Sequence, residues 1–242
     1  MRLIPLLCGL CLCAAPAGAA CRLALVLGLD VSGSVDAREY RLQLDGVAAA
    51  LEAEAVQAAL FAQPRAHVEL AIFQWGAPSQ QYLLLDWTTL RTRQDTALVA
   101  ARLRSSTLRF DDPSTAIGAA IDFGAALLNQ RAECWQHTLD ISGDGPSNAG
   151  PHPGSFPRDG RIKINGLVVN PSGRDNTDKD LSQAKTLAHY YLSQVIRGPG
   201  SFIETTADFD DFEKAMTRKL LREVQAMTVS KLTAQKNPRA AP

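Results

Sequence analysis

Two kinds of apolar pattern alternate along the chain. Residues 23–29, "LALVLGL", form an unbroken apolar run, as expected of a strand buried on both faces. Leu44, Val47, Leu51, Ala55 and Ala58 then recur at helical spacing, and Pro64 closes that helix. "HVELAIFQW" (67–75) and "QQYLLLDW" (80–87) read as strands separated by the turn signal Gly76-Ala77-Pro78. That connection is too short for a crossover helix, so the pair should be antiparallel. Residues 94–103 read as a short helix. Ile117, Ile121, Ala125 and Leu128 share one face of another, with Ser114 or Thr115 at its start. "HTLDIS" (137–142) and "RIKINGLVV" (161–169) predict strands four and five. A helix over 181–195, a sixth strand "SFIET" (201–205) and a last helix carrying Phe209, Phe212, Met216, Leu220 and Val224 complete the series.

This alternation predicts an α/β fold with a single doubly wound (Rossmann-like) sheet. The sheet should have six strands, mostly parallel with one antiparallel edge strand, and helices on both faces. With no internal repeat and no second core, one domain over residues 21–228 is the economical reading. Residues 145–160, which include Pro146, Pro151, Pro153 and Pro157, are expected to form an irregular loop where such folds usually carry a helix. The tail 229–242 has little to bury and is expected to be disordered. Residues 1–20, "MRLIPLLCGLCLCAAPAGAA", read as a signal peptide, with one Arg, an apolar stretch and small residues before the cut. A membrane anchor is the competing reading, but Pro5, Pro16 and Gly18 crowd a run shorter than a span requires. The expected location is therefore exported, periplasmic or secreted.

Composition narrows the function classes. Lys plus Arg and Asp plus Glu are 25 each, so no basic excess marks a nucleic-acid or anionic-membrane surface. Of the five cysteines, Cys8, Cys11 and Cys13 would leave with the signal peptide. Cys21 lies nine residues before Asp30, and Cys134 ten before Asp144. If those aspartates mark the same end of adjacent parallel strands, the two cysteines meet at the opposite end and form a disulfide. Lipidation of Cys21 is the rival, although Gly18 stands where such signals usually carry leucine.

The chemistry collects at strand ends. Asp30-Val31-Ser32-Gly33-Ser34 follows strand one, Thr115 precedes a helix, and Asp144-Gly145 follows strand four. In a doubly wound sheet, ligands sit outside the carboxyl ends of the strands where their order reverses. If strands one and four are neighbours there, Asp30, Ser32, Ser34, Thr115 and Asp144 converge. Two carboxylates and three hydroxyls form an all-oxygen set suited to a hard cation, Mg²⁺ or Mn²⁺. Gly33 and Gly145 would let the backbone turn beside it. Taken singly, Asp30 could be a turn former, and Ser114 or Thr115 a helix N-cap. Asp111 and Asp112 could add ligands, but a solvated pair before a helix is the simpler reading. The four histidines show no metal-ligand spacing, and Trp75, Trp87 and Trp135 read as packing groups.

"DVSGS", "STAIG" and the "DG" after a central strand resemble von Willebrand factor A-type domains. There, D-x-S-x-S, T and D form a metal-ion-dependent adhesion site. "LALVLGLDVSGSVDAREY", "DISGDGPSNAG", "INGL" and "GPGSF" are closer still to an exported bacterial A-type family known as a domain of unknown function. The likeness covers roughly residues 21 to 226. It implies Asp30, Ser32, Ser34, Thr115 and Asp144 as the metal set, with hydroxyls binding directly and aspartates often through water. It further implies that a partner's carboxylate completes the coordination. The chain departs from the pattern at Ser142-Gly143, where Thr or Ser commonly precedes the aspartate.

Two function classes follow. A metal-dependent module would capture Asp or Glu on a protein partner. A Mg²⁺ hydrolase would need a nucleophile or general base. No Gly-x-Ser-x-Gly elbow occurs, and no histidine lies near the cluster in sequence. Binding rather than catalysis is the expectation, with the hydrolase and a structural domain with a vestigial site as alternatives.

Overall fold

A computed structural model describes residues 19–107, 112–157, 160–170 and 178–236. The expected signal peptide, apart from Ala19 and Ala20, lies outside them, as does Asp111. Six strands, β1 (Ala20–Asp30), β2 (Ala66–Trp75), β3 (Gln81–Leu90), β4 (His137–Gly143), β5 (Lys163–Val169) and β6 (Ile203–Thr206), form one sheet in the order β3-β2-β1-β4-β5-β6. β3 pairs antiparallel to β2 at one edge, and every other pairing is parallel. The helices are α1 (Ala37–Glu52), α2 (Glu54–Phe61), α3 (Arg93–Arg104), α4 (Ile117–Asn129), α5 (Asp178–Tyr190) and α6 (Phe212–Lys236).

The unbroken apolar run of β1 is explained by burial on both sides. Leu23, Leu25, Leu27 and Leu29 face a layer containing α1, α2, α3 and α6. Ala24 and Val26 face the opposite layer, built by α4, α5 and the turn after it. Because side chains alternate along a strand, a central strand covered by helices on both faces needs apolar residues at every position.

Three elements differ from the sequence expectation. The helix expected to run through Ala58 breaks at Ala53, which takes an extended conformation (ψ 132°). The restart shifts the phase, so Val56 and Leu60 are buried while Ala55 and Ala58 are exposed. Valine and leucine remove more apolar area from water than alanine does. Next, the helix expected over 181–195 changes at Tyr191 into a π turn, Tyr191–Val195, which turns both of its end residues fully inward. Finally, α6 continues to Lys236, into the stretch expected to be a disordered tail. Leu232, Ala234, Gln235 and Lys236 are good helix formers that extend an already nucleated helix, and no breaker occurs before Pro238. Residues 237–242 lie outside the described residues. Among its described residues, the loop expected over 145–160 is irregular, with a short 3₁₀ turn at Pro153–Ser155.

Two features lock the sheet. Cys21 and Cys134 form a disulfide, with Cα atoms 4.6 Å apart, that ties the starts of β1 and β4. Under α6, the buried Lys219 ammonium bridges Asp140 (2.8 Å) on β4 and Glu223 (2.7 Å) on its own helix. Glu223 also accepts from Asn165 on β5 (2.8 Å). No helix among the described residues is long and apolar enough to cross a membrane.

Candidate metal centre

β1 and β4 are adjacent and parallel, so Asp30 and Asp144 emerge at the same sheet end. Trp75, the last residue of β2, pairs with Asp30, and its carbonyl accepts the Val31 N–H (2.9 Å). Past Asp30 the chain turns tightly. The Asp30 carboxylate accepts the Ser32 N–H at Oδ1 (2.8 Å). Val35 N–H donates to the Ser32 carbonyl (2.9 Å) and closes the turn.

The Ser32 and Ser34 hydroxyls lie 3.4 Å apart, and Ser34 Oγ donates to Asp144 Oδ1 (2.7 Å). Asp30, Ser32, Ser34 and Asp144 are thus brought together. Thr115 sits on the adjoining 112–116 segment, which is held to both loops. The Pro113 carbonyl accepts the Gly33 N–H (3.1 Å), and the Thr115 carbonyl accepts the N–H groups of Asn148 (2.8 Å) and Ala149 (3.2 Å). The burial is graded: Asp30 is 0% exposed, Ser32 1%, Asp144 4% and Thr115 6%, while Ser34 is open to solvent.

Several expectations need correction. Neither Ser114 nor Thr115 caps α4. Ala116 holds that position without a side-chain cap, and Ile117 N–H donates instead to Ser147 Oγ (3.2 Å). Ser147 and Asn148, which also accepts the Thr115 N–H (2.8 Å), are structural parts of the site that sequence reasoning missed. Their only signal is a polar pair in the loop after Asp144. Gly33 is required by packing rather than by a special turn, since a β-carbon there would lie 2.4 Å from that of Pro113. A β-carbon on Gly145 would meet nothing within 4 Å, and its φ is not positive, so nothing there demands glycine. Asp112 is exposed and accepts the Ser114 N–H (2.9 Å), the solvated role expected of it.

The electrostatics suit a cation. Burial, and then the charge of Asp144, raise the Asp30 carboxyl to about 7. Burial also raises Asp144, offset by its hydrogen bond from Ser34. Asp30 Oδ2 is buried with no hydrogen-bond partner among the described residues. Two crowded carboxylates and an unpartnered oxygen are what a bound cation would compensate. Among the described residues, no three His, Cys, Asp or Glu side chains gather in a metal-binding group. Beside the two carboxylates stand the hydroxyls of Ser32 and Ser34, an all-oxygen set that would favour a hard ion. Beside Asp144 opens a groove of about 410 Å³ lined by Pro146, Ser182, Thr186, Leu187 and Tyr190.

The family model described as "Protein of unknown function (DUF1194)" matches residues 20–228. The chain belongs to this family. Its fold is that of von Willebrand factor A domains. Proximal thread matrix protein 1 from the mussel byssus, in a structure with a zinc-occupied MIDAS motif, superposes with a TM-score of 0.55 at 16% identity, covering 86% of this chain and 47% of that one. The pilus adhesin SpaC from Lactobacillus rhamnosus GG gives 0.58 at 14% identity, covering 86% and 31%. BatB from Bacteroides thetaiotaomicron gives 0.51 at 14% identity, covering 86% and 99%. The chain thus spans about half the length of the byssus protein. A comparison with curated protein sequences gives no match.

Proposed function

We propose that this DUF1194 chain is an exported, metal-dependent protein-binding module. Asp30, Ser32, Ser34, Thr115 and Asp144 would hold one Mg²⁺ or Mn²⁺, and the bound ion would take a carboxylate from Asp or Glu of a protein partner. The observation that carries this reading is the buried, unpartnered Asp30 Oδ2 beside a second carboxylate. Two carboxylates formally balance the charge of a divalent ion, and five protein oxygens would leave one of about six octahedral positions for an oxygen of an acidic side chain. The exposed Ser34 marks the side from which a partner would approach, and the groove beside Asp144 offers adjoining contact surface. Under this reading Asp30 and Asp144 are taken up by the ion rather than left free as bases, no histidine stands among the five, and binding rather than catalysis is the function proposed.

Calorimetric titration with MgCl₂ and MnCl₂ tests the metal site. Saturable one-site binding, lost in Asp30→Ala, is the expected result; unchanged affinity in that variant would place the ion elsewhere. Acetate and a glutamate-containing peptide should then alter water relaxation by the bound Mn²⁺. No effect of either would remove the carboxylate-capture step.

A further inference from the structure

Behind the proposed ligands lie two buried polar groups, on Tyr191 and Trp75, that the metal reading leaves unused. Asp30 Oδ2, Tyr191 Oη and Trp75 Nε1 are buried and have no hydrogen-bond partner among the described residues. All three residues are 0% exposed. They meet around Gly143. A β-carbon on that residue would lie 2.5 Å from Tyr191 Oη, 2.8 Å from Asp30 Oδ2 and 3.4 Å from the Trp75 ring. The tyrosine hydroxyl therefore occupies space that a side chain at 143 would fill, next to the free oxygen of Asp30.

The backbone places it there. Tyr191 opens the π turn that ends α5, and such turns re-aim side chains at functional sites. A tyrosine phenol is protonated at neutral pH, so Tyr191 offers a proton to a neighbouring acceptor. Beside an unpartnered carboxylate oxygen, the favourable use of that donor is a hydrogen bond to it.

We infer that Tyr191 is a positioning residue for the metal site: its hydroxyl donates to Asp30 Oδ2, directly or through one buried water. Ser32 N–H already holds Oδ1, so the two donors together fix the carboxylate. A metal ligand oriented in this way loses less freedom on binding, which is how outer partners raise affinity. The departure at Gly143 then has a physical reason, because a side chain there would displace the tyrosine hydroxyl. This inference rests on the proposed metal-binding reading.

The test is calorimetric titration with MgCl₂ of the wild type, Tyr191→Phe, Gly143→Ser and the double variant, with melting temperatures measured in chelator. Tyr191→Phe should lose affinity by about 10- to 100-fold, with the melting temperature in chelator unchanged. Gly143→Ser should also bind more weakly, because its β-carbon would crowd Tyr191 Oη and Asp30 Oδ2, and the double variant should bind no better than Tyr191→Phe. Wild-type affinity in Tyr191→Phe would overturn the inference while leaving the metal reading intact. So would a loss that follows a lowered melting temperature in chelator. Absence of binding in the wild type would overturn the metal reading itself, and the inference with it.

Discussion

Ser34 Oγ donates to Asp144 Oδ1 at 2.7 Å across 110 residues of sequence. The bond joins the loop after β1 to the end of β4 and closes the candidate site on its solvent side. Asp144→Ala should abolish measurable Mg²⁺ binding, and Ser34→Ala should weaken it by about tenfold or more. Both variants should keep the wild-type circular dichroism spectrum, because the site lies on loops rather than in the core. Titration calorimetry together with the spectra checks this.

The Cys21–Cys134 disulfide closes a loop over a sequence separation of 113 residues. Cys134→Ser should cost about 2–5 kcal/mol of stability, read from denaturant unfolding. Metal affinity should not change, because the bond lies at the sheet end opposite the site. In protein lacking residues 1–20, a thiol assay under denaturing, non-reducing conditions should detect no free thiol.

Lys219 is a single ammonium shared by two buried carboxylates, Asp140 and Glu223. Lys219→Met should destabilise the fold by about 3–5 kcal/mol, because it leaves both carboxylates buried without a counter-ion. Met at 219 in combination with Asp140→Asn and Glu223→Gln should recover much of that loss. Chemical unfolding of the three proteins decides the matter.

The same cluster predicts a pH dependence. Burial raises the Asp140 carboxyl to about 7, Lys219 opposes the rise and Glu223 adds to it. An unfolded Asp titrates near ~3.9. Between those values the folded state holds a proton that the unfolded state has released, so this contribution to stability is full below ~4 and is lost as pH rises through about 7. Asp140→Asn should flatten the decline between about pH 4 and 7. Melting temperatures measured in saturating Mg²⁺ check it, and an unchanged slope would assign the dependence to other groups.

Much of the architecture was legible in the residues. The strand and helix order, the antiparallel β2–β3 pair and the Cys21–Cys134 link all follow from local signals: apolar period, a short Gly-Pro turn, and distance along paired strands. The Asp30, Ser32, Ser34 and Asp144 grouping was legible for the same reason, since strand ends are fixed once strands are found and adjacent parallel strands bring their ends together. The phase break at Ala53 was not legible, because alanine, valine and leucine all suit a helix and only the shape of the core decides which of them is buried.

Long-range packing decided the rest. Ser147 and Asn148 take over the start of α4 from Ser114 and Thr115 because the loop after β4 folds back onto it, a contact no local pattern encodes. Tyr191 Oη lies against Gly143 through a π turn, and Asp30 meets the same glycine because β4 lies beside β1. Periodicity reports which face of an element is apolar, a property of neighbours in sequence. Which polar atom meets which across the sheet depends on the relative placement of whole elements, and that is set by the packing of the two cores together.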